Sequence, residues 1–62
     1  MSDPIVLLTV PEAAERLRVS RRTVERLIRD GRIRPVRIGR RVLVTEREVG
    51  AFIALCAGRR VA

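Results

Sequence analysis

A change of hydrophobic period inside one basic run constrains this chain more than any other feature. From Val19 to Val44, "VSRRTVERLIRDGRIRPVRIGRRVLV", nine arginines are interrupted at regular intervals by valine, leucine and isoleucine. Up to Ile28 the apolar residues keep helical spacing, at Val24, Leu27 and Ile28. From Ile33 they alternate: Val36 and Ile38 flank Arg37, and Val42 and Val44 flank Leu43. A solvated charge run has no reason to carry either period. The segment is therefore expected to fold as a helix followed by a β-hairpin, with arginines left on the outside of both.

Local signals mark the ends of these elements. Ser20 is a good N-cap, because its side-chain oxygen can accept one of the N–H groups that the first turn leaves unpaired. Gly31, after Asp30, stands where a left-handed C-cap belongs, so the helix is expected over 21–30. At about 100° per residue, Val24, Leu27 and Ile28 cluster on one side of it. Arg21, Arg22, Glu25, Arg26 and Arg29 fan across an opposing arc of about 140°. The hairpin has two candidate registers. Gly39 first in a two-residue loop suits a II′ turn, whereas a three-residue loop, Gly39 to Arg41, puts Val36, Ile38, Val42 and Val44 on one face. The sequence leans to the three-residue loop, and in both cases Arg40 lies at the tip.

Two further helices frame this segment. Thr9 and Glu12 have capping-box spacing, Pro11 is tolerated in a first turn, and Val10, Ala13, Ala14 and Leu17 recur as one stripe. Arg18 and Val19 make a tight connection to the next helix. Thr45 and Glu48 repeat the capping-box spacing ahead of Val49, Phe52, Ile53 and Cys56, with Gly58 as the stop. Phe52, the only aromatic residue, is expected to anchor this last helix, and Cys56 to be a buried small hydrophobe. Residues 1–7 read as an N-terminal arm and 59–62 as a basic tail. The expected fold class is α+β, mostly α: a helix-turn-helix, a two-stranded hairpin wing and a C-terminal helix, in one domain over 1–62.

Composition then narrows the chemistry. With 62 residues, 14 basic and 7 acidic, the chain carries a net charge of +7, which favours a polyanionic partner. Every basic residue is arginine. Arginine suits bidentate contacts to phosphate and guanine, but a GC-rich genome also encodes it in preference to lysine, so the placement of the arginines carries the argument. One cysteine and no histidine give neither a disulfide framework nor a usual zinc site, and no cofactor or metal is expected. No base stands ready to activate Ser20 or Thr45, which have capping roles, so an enzyme is the poorer reading. A membrane-surface peptide is a rival, because basic amphipathic helices bind anionic lipid. Against it, three elements share narrow apolar stripes, as one common core requires. The longest apolar run, Ile5 to Val10, is too short to span a bilayer, and Asp3 stands where a signal peptide carries positive charge. A cytoplasmic location is expected.

The order helix, tight turn, helix, hairpin, helix is that of a winged helix-turn-helix, whose second helix presents its polar side to a major groove. Residues 8–53 also resemble the excisionase-type DNA-binding domains of the MerR-like winged-helix group, through "LTVPEAAERL", "VSRRTVERLIRDGRI" and "VRIGRRVLV" together. The resemblance implies that Ser20 caps the helix that reads DNA and that Arg21, Arg22, Thr23 and Arg26 face DNA. It also implies that Gly39, Arg40 and Arg41 lie in the wing. Glu25 departs from the aromatic residue frequent in that family. From position alone, Arg29 is a candidate contact or merely solvated beside the Gly31 turn, Arg37 is a wing contact or an outward strand residue, and Glu25 has two readings, an ion pair with Arg21 and Arg29 or an acceptor for cytosine. Thr23 likewise either touches phosphate or bonds back within its helix.

The implied function is that of a recombination directionality factor. Several copies, monomeric in free solution, would bind and bend attachment-site DNA beside a phage or mobile-element integrase. The alternative is a small MerR-like transcriptional regulator or repressor. An effector-responsive member would need a long dimerisation helix beyond Ala62, and Met1 leads one to expect a complete product.

Overall fold

The computed structural model describes residues 4–59. The elements run β1 (Leu7–Thr9), α1 (Val10–Leu17), α2 (Arg21–Arg29), β2 (Val36–Ile38), β3 (Arg41–Thr45) and α3 (Glu46–Arg59). This is the expected small α+β winged helix-turn-helix, with one strand more than the hairpin supplies. Leu7, assigned above to an N-terminal arm, belongs to β1, and the sheet is three-stranded in the order β1-β3-β2. The strand was hidden because it is only three residues long and runs directly into the capping box of α1. Of the other terminal assignments, Arg59 ends α3, while Met1–Asp3 and residues 60–62 lie outside the described part.

Helix α1 starts where its cap dictates. Thr9 accepts from Glu12 N–H, and the Glu12 carboxylate accepts from Thr9 N–H, so two otherwise unpaired donors are satisfied. It ends on a left-handed residue, Arg18, with φ 58° and ψ 42°. Val19 N–H then donates to Ala14 O at 3.0 Å and Arg18 N–H to Glu15 O at 3.2 Å. This reversal is the turn between the first two helices. Helix α2 ends by the same device, with Gly31 at φ 77°, Gly31 N–H donating to Ile28 O at 3.1 Å and Arg32 N–H to Leu27 O at 2.9 Å.

The core is small and draws on β1, β3, all three helices and the α2–β2 connection: Leu8, Ala13, Ala14, Val24, Ile33, Val44 and Val49, with Val10, Leu17, Leu27, Ile28 and Phe52 packed around it. Ile33, Val24 and Val44 are its largest fully buried side chains. Ile33 precedes β2 in the chain and acts as the core plug of the α2–β2 connection. In α3 the buried anchor is Val49, and Phe52, expected in that role, is half-buried at the rim. Cys56 is exposed, contrary to the expectation of burial, because α3 outruns the core and every residue from Ile53 to Gly58 is exposed.

The hairpin takes the tighter of the two registers. Ile38 pairs with Arg41, Arg37 with Val42 and Val36 with Leu43, so the loop is Gly39 and Arg40 alone and the three-residue loop is not formed. Gly39 has φ 59°, the positive value that a II′ turn demands of its first central residue. On the other side of β3, Leu8 pairs with Val44, and both are buried. Val44 is thus fixed inward by β1. Alternation along β3 then places Val42 and its partner Arg37 on the core side, and Leu43, Val36, Ile38 and Arg41 on the opposite side. The four valine and isoleucine residues of the hairpin are therefore divided between its faces.

Candidate nucleic-acid interface

Helix α2 is built to show one side. Ser20 Oγ accepts from Thr23 N–H at 3.1 Å and lies 2.9 Å from Thr23 Oγ1, so the first turn is tied by both a cap and a hydroxyl pair. The Thr23 hydroxyl is thereby held against Ser20, which is the local bonding that its sequence position allowed. Val24 is fully buried and Leu27 and Ile28 are half-buried, which sets the rotation of the helix. Arg21, Arg22, Glu25, Arg26 and Arg29 are all exposed on the remaining arc. The two-sidedness read from the wheel is the two-sidedness of the structure.

Three carboxylates are engaged elsewhere. Glu12 closes the α1 cap. Glu46 accepts from Arg16 at 2.6 Å, tying the start of α3 to α1. Glu48 accepts from the backbone N–H of Arg34 at 3.0 Å. Only Glu25 lies on the basic arc, and its one ion pair among the described residues is a loose contact of 4.0 Å with Arg21. The expected second pair, with Arg29, is not formed. Among the described residues Arg22, Arg26 and Arg29 have no carboxylate within ion-pair distance. Arginines left unpaired by the fold keep their full charge for a ligand, and their exposed positions cost no desolvation in the free protein.

The hairpin presents its arginines differently. Arg40 sits in the turn beside Gly39, while Arg37 and Arg41 are exposed on opposite faces of the sheet. Arg37 lies on the side that carries the helices, a position the sequence left open, and Arg41 lies on the other. The ties through Glu46 and Glu48 were also missed from sequence, because their partners are 30 and 14 residues away. Nothing local signals them. Among the described residues no group of histidine, cysteine, aspartate or glutamate side chains could hold a metal ion, and no helix is long and apolar enough to cross a membrane.

A family model described as a helix-turn-helix domain matches residues 7–54, which spans β1 through most of α3. No curated protein and no solved structure matches the chain. The matched span contains the whole α1–turn–α2 unit, the hairpin and the core that joins them. On that match, and with this geometry, the chain belongs to the helix-turn-helix domain family, which includes DNA-binding proteins.

Proposed function

We propose that the protein is an excisionase, a recombination directionality factor that acts by binding and bending DNA without catalysing a reaction. In this reading α2 enters a major groove, with Arg22 and Arg26 at base edges and Arg21 and Arg29 at phosphates. The turn of the hairpin, with Arg40 and one or both of Arg37 and Arg41, holds the backbone or minor groove alongside. The observation that carries the reading is the exposed arginine arc of α2, left without carboxylate partners apart from Glu25 and Arg21.

The small size of the domain supports the architectural role. A module of this size covers limited DNA surface, so one copy binds moderately, and neighbouring copies must reinforce each other for useful occupancy. Bending a short site costs on the order of 1–6 kcal/mol, which contacts from several protomers offset. The implied partners are duplex DNA, further copies of the chain on adjacent sites and a phage or mobile-element integrase in the cytoplasm of a bacterial cell.

The deciding experiment is recombination by the cognate integrase on paired attachment sites. Added protein should promote excision and leave integration unaided or inhibited, and Arg22→Ala should abolish the effect. Excision that proceeds equally well without the protein, together with silencing of a promoter in its presence, would replace this reading with that of a small transcriptional regulator.

A further inference from the structure

The same sequence motif, threonine followed three residues later by glutamate, precedes both α1 and α3, and the fold uses its two copies differently. At α1 the reciprocal box closes: Thr9 N–H donates to Glu12 Oε1 at 2.8 Å and Glu12 N–H to Thr9 Oγ1 at 3.2 Å. At α3 the first half is made, Glu48 N–H donating to Thr45 Oγ1 at 3.0 Å. The second half is diverted. Glu48 Oε1 accepts instead from the backbone N–H of Arg34, in the connection between α2 and β2, at 3.0 Å. Thr45 remains in the sheet, opposite Leu7 of β1.

Following each N–H of that connection shows what the diversion accomplishes. Gly31 N–H returns to Ile28 O, and Arg32 and Ile33 N–H both return to Leu27 O, so this stretch is bonded to α2. Pro35 has no N–H to give. Arg34 N–H is therefore the donor that leaves α2 behind, and the next residue, Pro35, leads directly into β2. Ile33 holds the same connection by burial, but an apolar plug resists displacement without fixing direction. A hydrogen bond to a placed acceptor is directional, and Glu48 is itself held by its helix start and by Thr45.

We propose that Glu48 is a positioning residue for DNA binding: by gripping Arg34 N–H it sets the direction in which the chain leaves α2 and so fixes the hairpin relative to the arginine arc. This rests on the DNA-binding reading above, since only a ligand touching both surfaces at once would sense their relative placement. Glu48 itself need not touch DNA.

The test compares Glu48→Gln with Glu48→Asp in the full chain. Glutamine keeps the length and an acceptor oxygen while losing the charge. Aspartate keeps the charge favoured at a helix start but is one carbon shorter. Hydrogen exchange of the Arg34 amide should be slow in the wild type and in Glu48→Gln, and fast in Glu48→Asp. Affinity for the duplex that the wild-type chain enriches from a random-sequence pool should hold in Glu48→Gln. In Glu48→Asp it should fall about two- to tenfold, the range that one hydrogen bond supports. Adding Arg40→Ala to Glu48→Asp should then cost less than Arg40→Ala alone, because a hairpin already out of place has less to lose. The reverse pattern, with aspartate tolerated and glutamine not, would mean that Glu48 acts by its charge and would overturn the proposal. So would full additivity with Arg40→Ala. If the wild-type chain enriches no duplex, the DNA-binding reading fails, and the Arg34 exchange rates alone then decide whether Glu48 holds the connection.

Discussion

Helix α2 and the hairpin carry comparable numbers of arginines, yet they are oriented by different physics. The helix is rotated by its own sequence: Val24 is buried, Leu27 and Ile28 follow at helical spacing, and every arginine falls on the opposite arc. The hairpin is oriented by partners. Val44 is turned inward by Leu8 of β1, and Gly39 then passes that choice to β2 through a two-residue turn. Local periodicity is thus enough to place an amphipathic helix. A strand with apolar residues on both faces needs its neighbour to decide which face is inside.

The largest break in this comparison is expected at Ile33, where the two regions meet. Ile33 is fully buried, and Ile33→Ala should cost about 2–5 kcal/mol, enough to unfold so small a domain. Phe52→Ala, at the rim of the core, should cost less than Ile33→Ala despite deleting a larger side chain. Chemical denaturation followed by circular dichroism checks both. Loss of the sheet with α2 intact in Ile33→Ala would mean that helix and hairpin are not one cooperative unit.

On DNA, the next largest effect should separate the two surfaces. Arg22→Ala or Arg26→Ala should weaken the preferred duplex by about 1–3 kcal/mol and relax its sequence preference. Arg40→Ala should weaken all duplexes evenly and reduce the slope of log affinity against log salt by about 0.9, one phosphate contact. Competition binding at several salt concentrations measures both. Equal losses on preferred and random duplexes for all three variants would show that α2 does not read bases.

Below these comes the turn itself. A Cβ at Gly39 would meet nothing within 4 Å, so the cost of Gly39→Ala is conformational alone. At φ 59° in a II′ turn it should be about 1–3 kcal/mol. Arg18 bears the milder left-handed strain at the end of α1, with φ 58° and ψ 42°, and Arg18→Gly should recover part of it. Opposite signs in thermal melting would confirm that both positions are governed by backbone preference. No change in Gly39→Ala would mean that the turn has another accessible form, and the register argument would lose its support.

These expectations indicate which parts of the molecule were legible in advance. The three helices, the Ser20 and Thr9 caps, the Gly31 stop and the basic arc of α2 all depend on residues within a few positions of one another, where spacing is informative. What escaped was non-local. Strand β1 exists only because Thr9, Leu8 and Leu7 find Leu43, Val44 and Thr45 far along the chain. The hairpin register followed from that pairing. Thr45 and Glu48 match a capping box as well as Thr9 and Glu12 do, and only the packed fold reveals that Arg34 competes for the second carboxylate. Cys56 fits the apolar stripe of α3, but the period of a helix does not say how far the core beneath it extends.

The smallest expected effect concerns the acidic residue on the basic arc. Glu25 lies 4.0 Å from Arg21 with both side chains more than half exposed, so Glu25→Ala should change stability by no more than about 0.5 kcal/mol. Its effect on binding is more informative than its size suggests. Removing a negative charge from among Arg21, Arg22, Arg26 and Arg29 should raise affinity for random duplex at low salt, and the gain should fade as salt screens it. If Glu25 serves only to neutralise Arg21, affinity for the preferred duplex should rise in parallel. If its carboxylate accepts from the N4 amino group of a cytosine, the preferred duplex should bind more weakly while random duplex binds more tightly, and substitution of that cytosine should cost the wild type but not Glu25→Ala. The two outcomes differ in sign on one duplex, so a single pair of titrations decides whether Glu25 only tempers the charge of the arc or adds a base-reading position between Arg22 and Arg26.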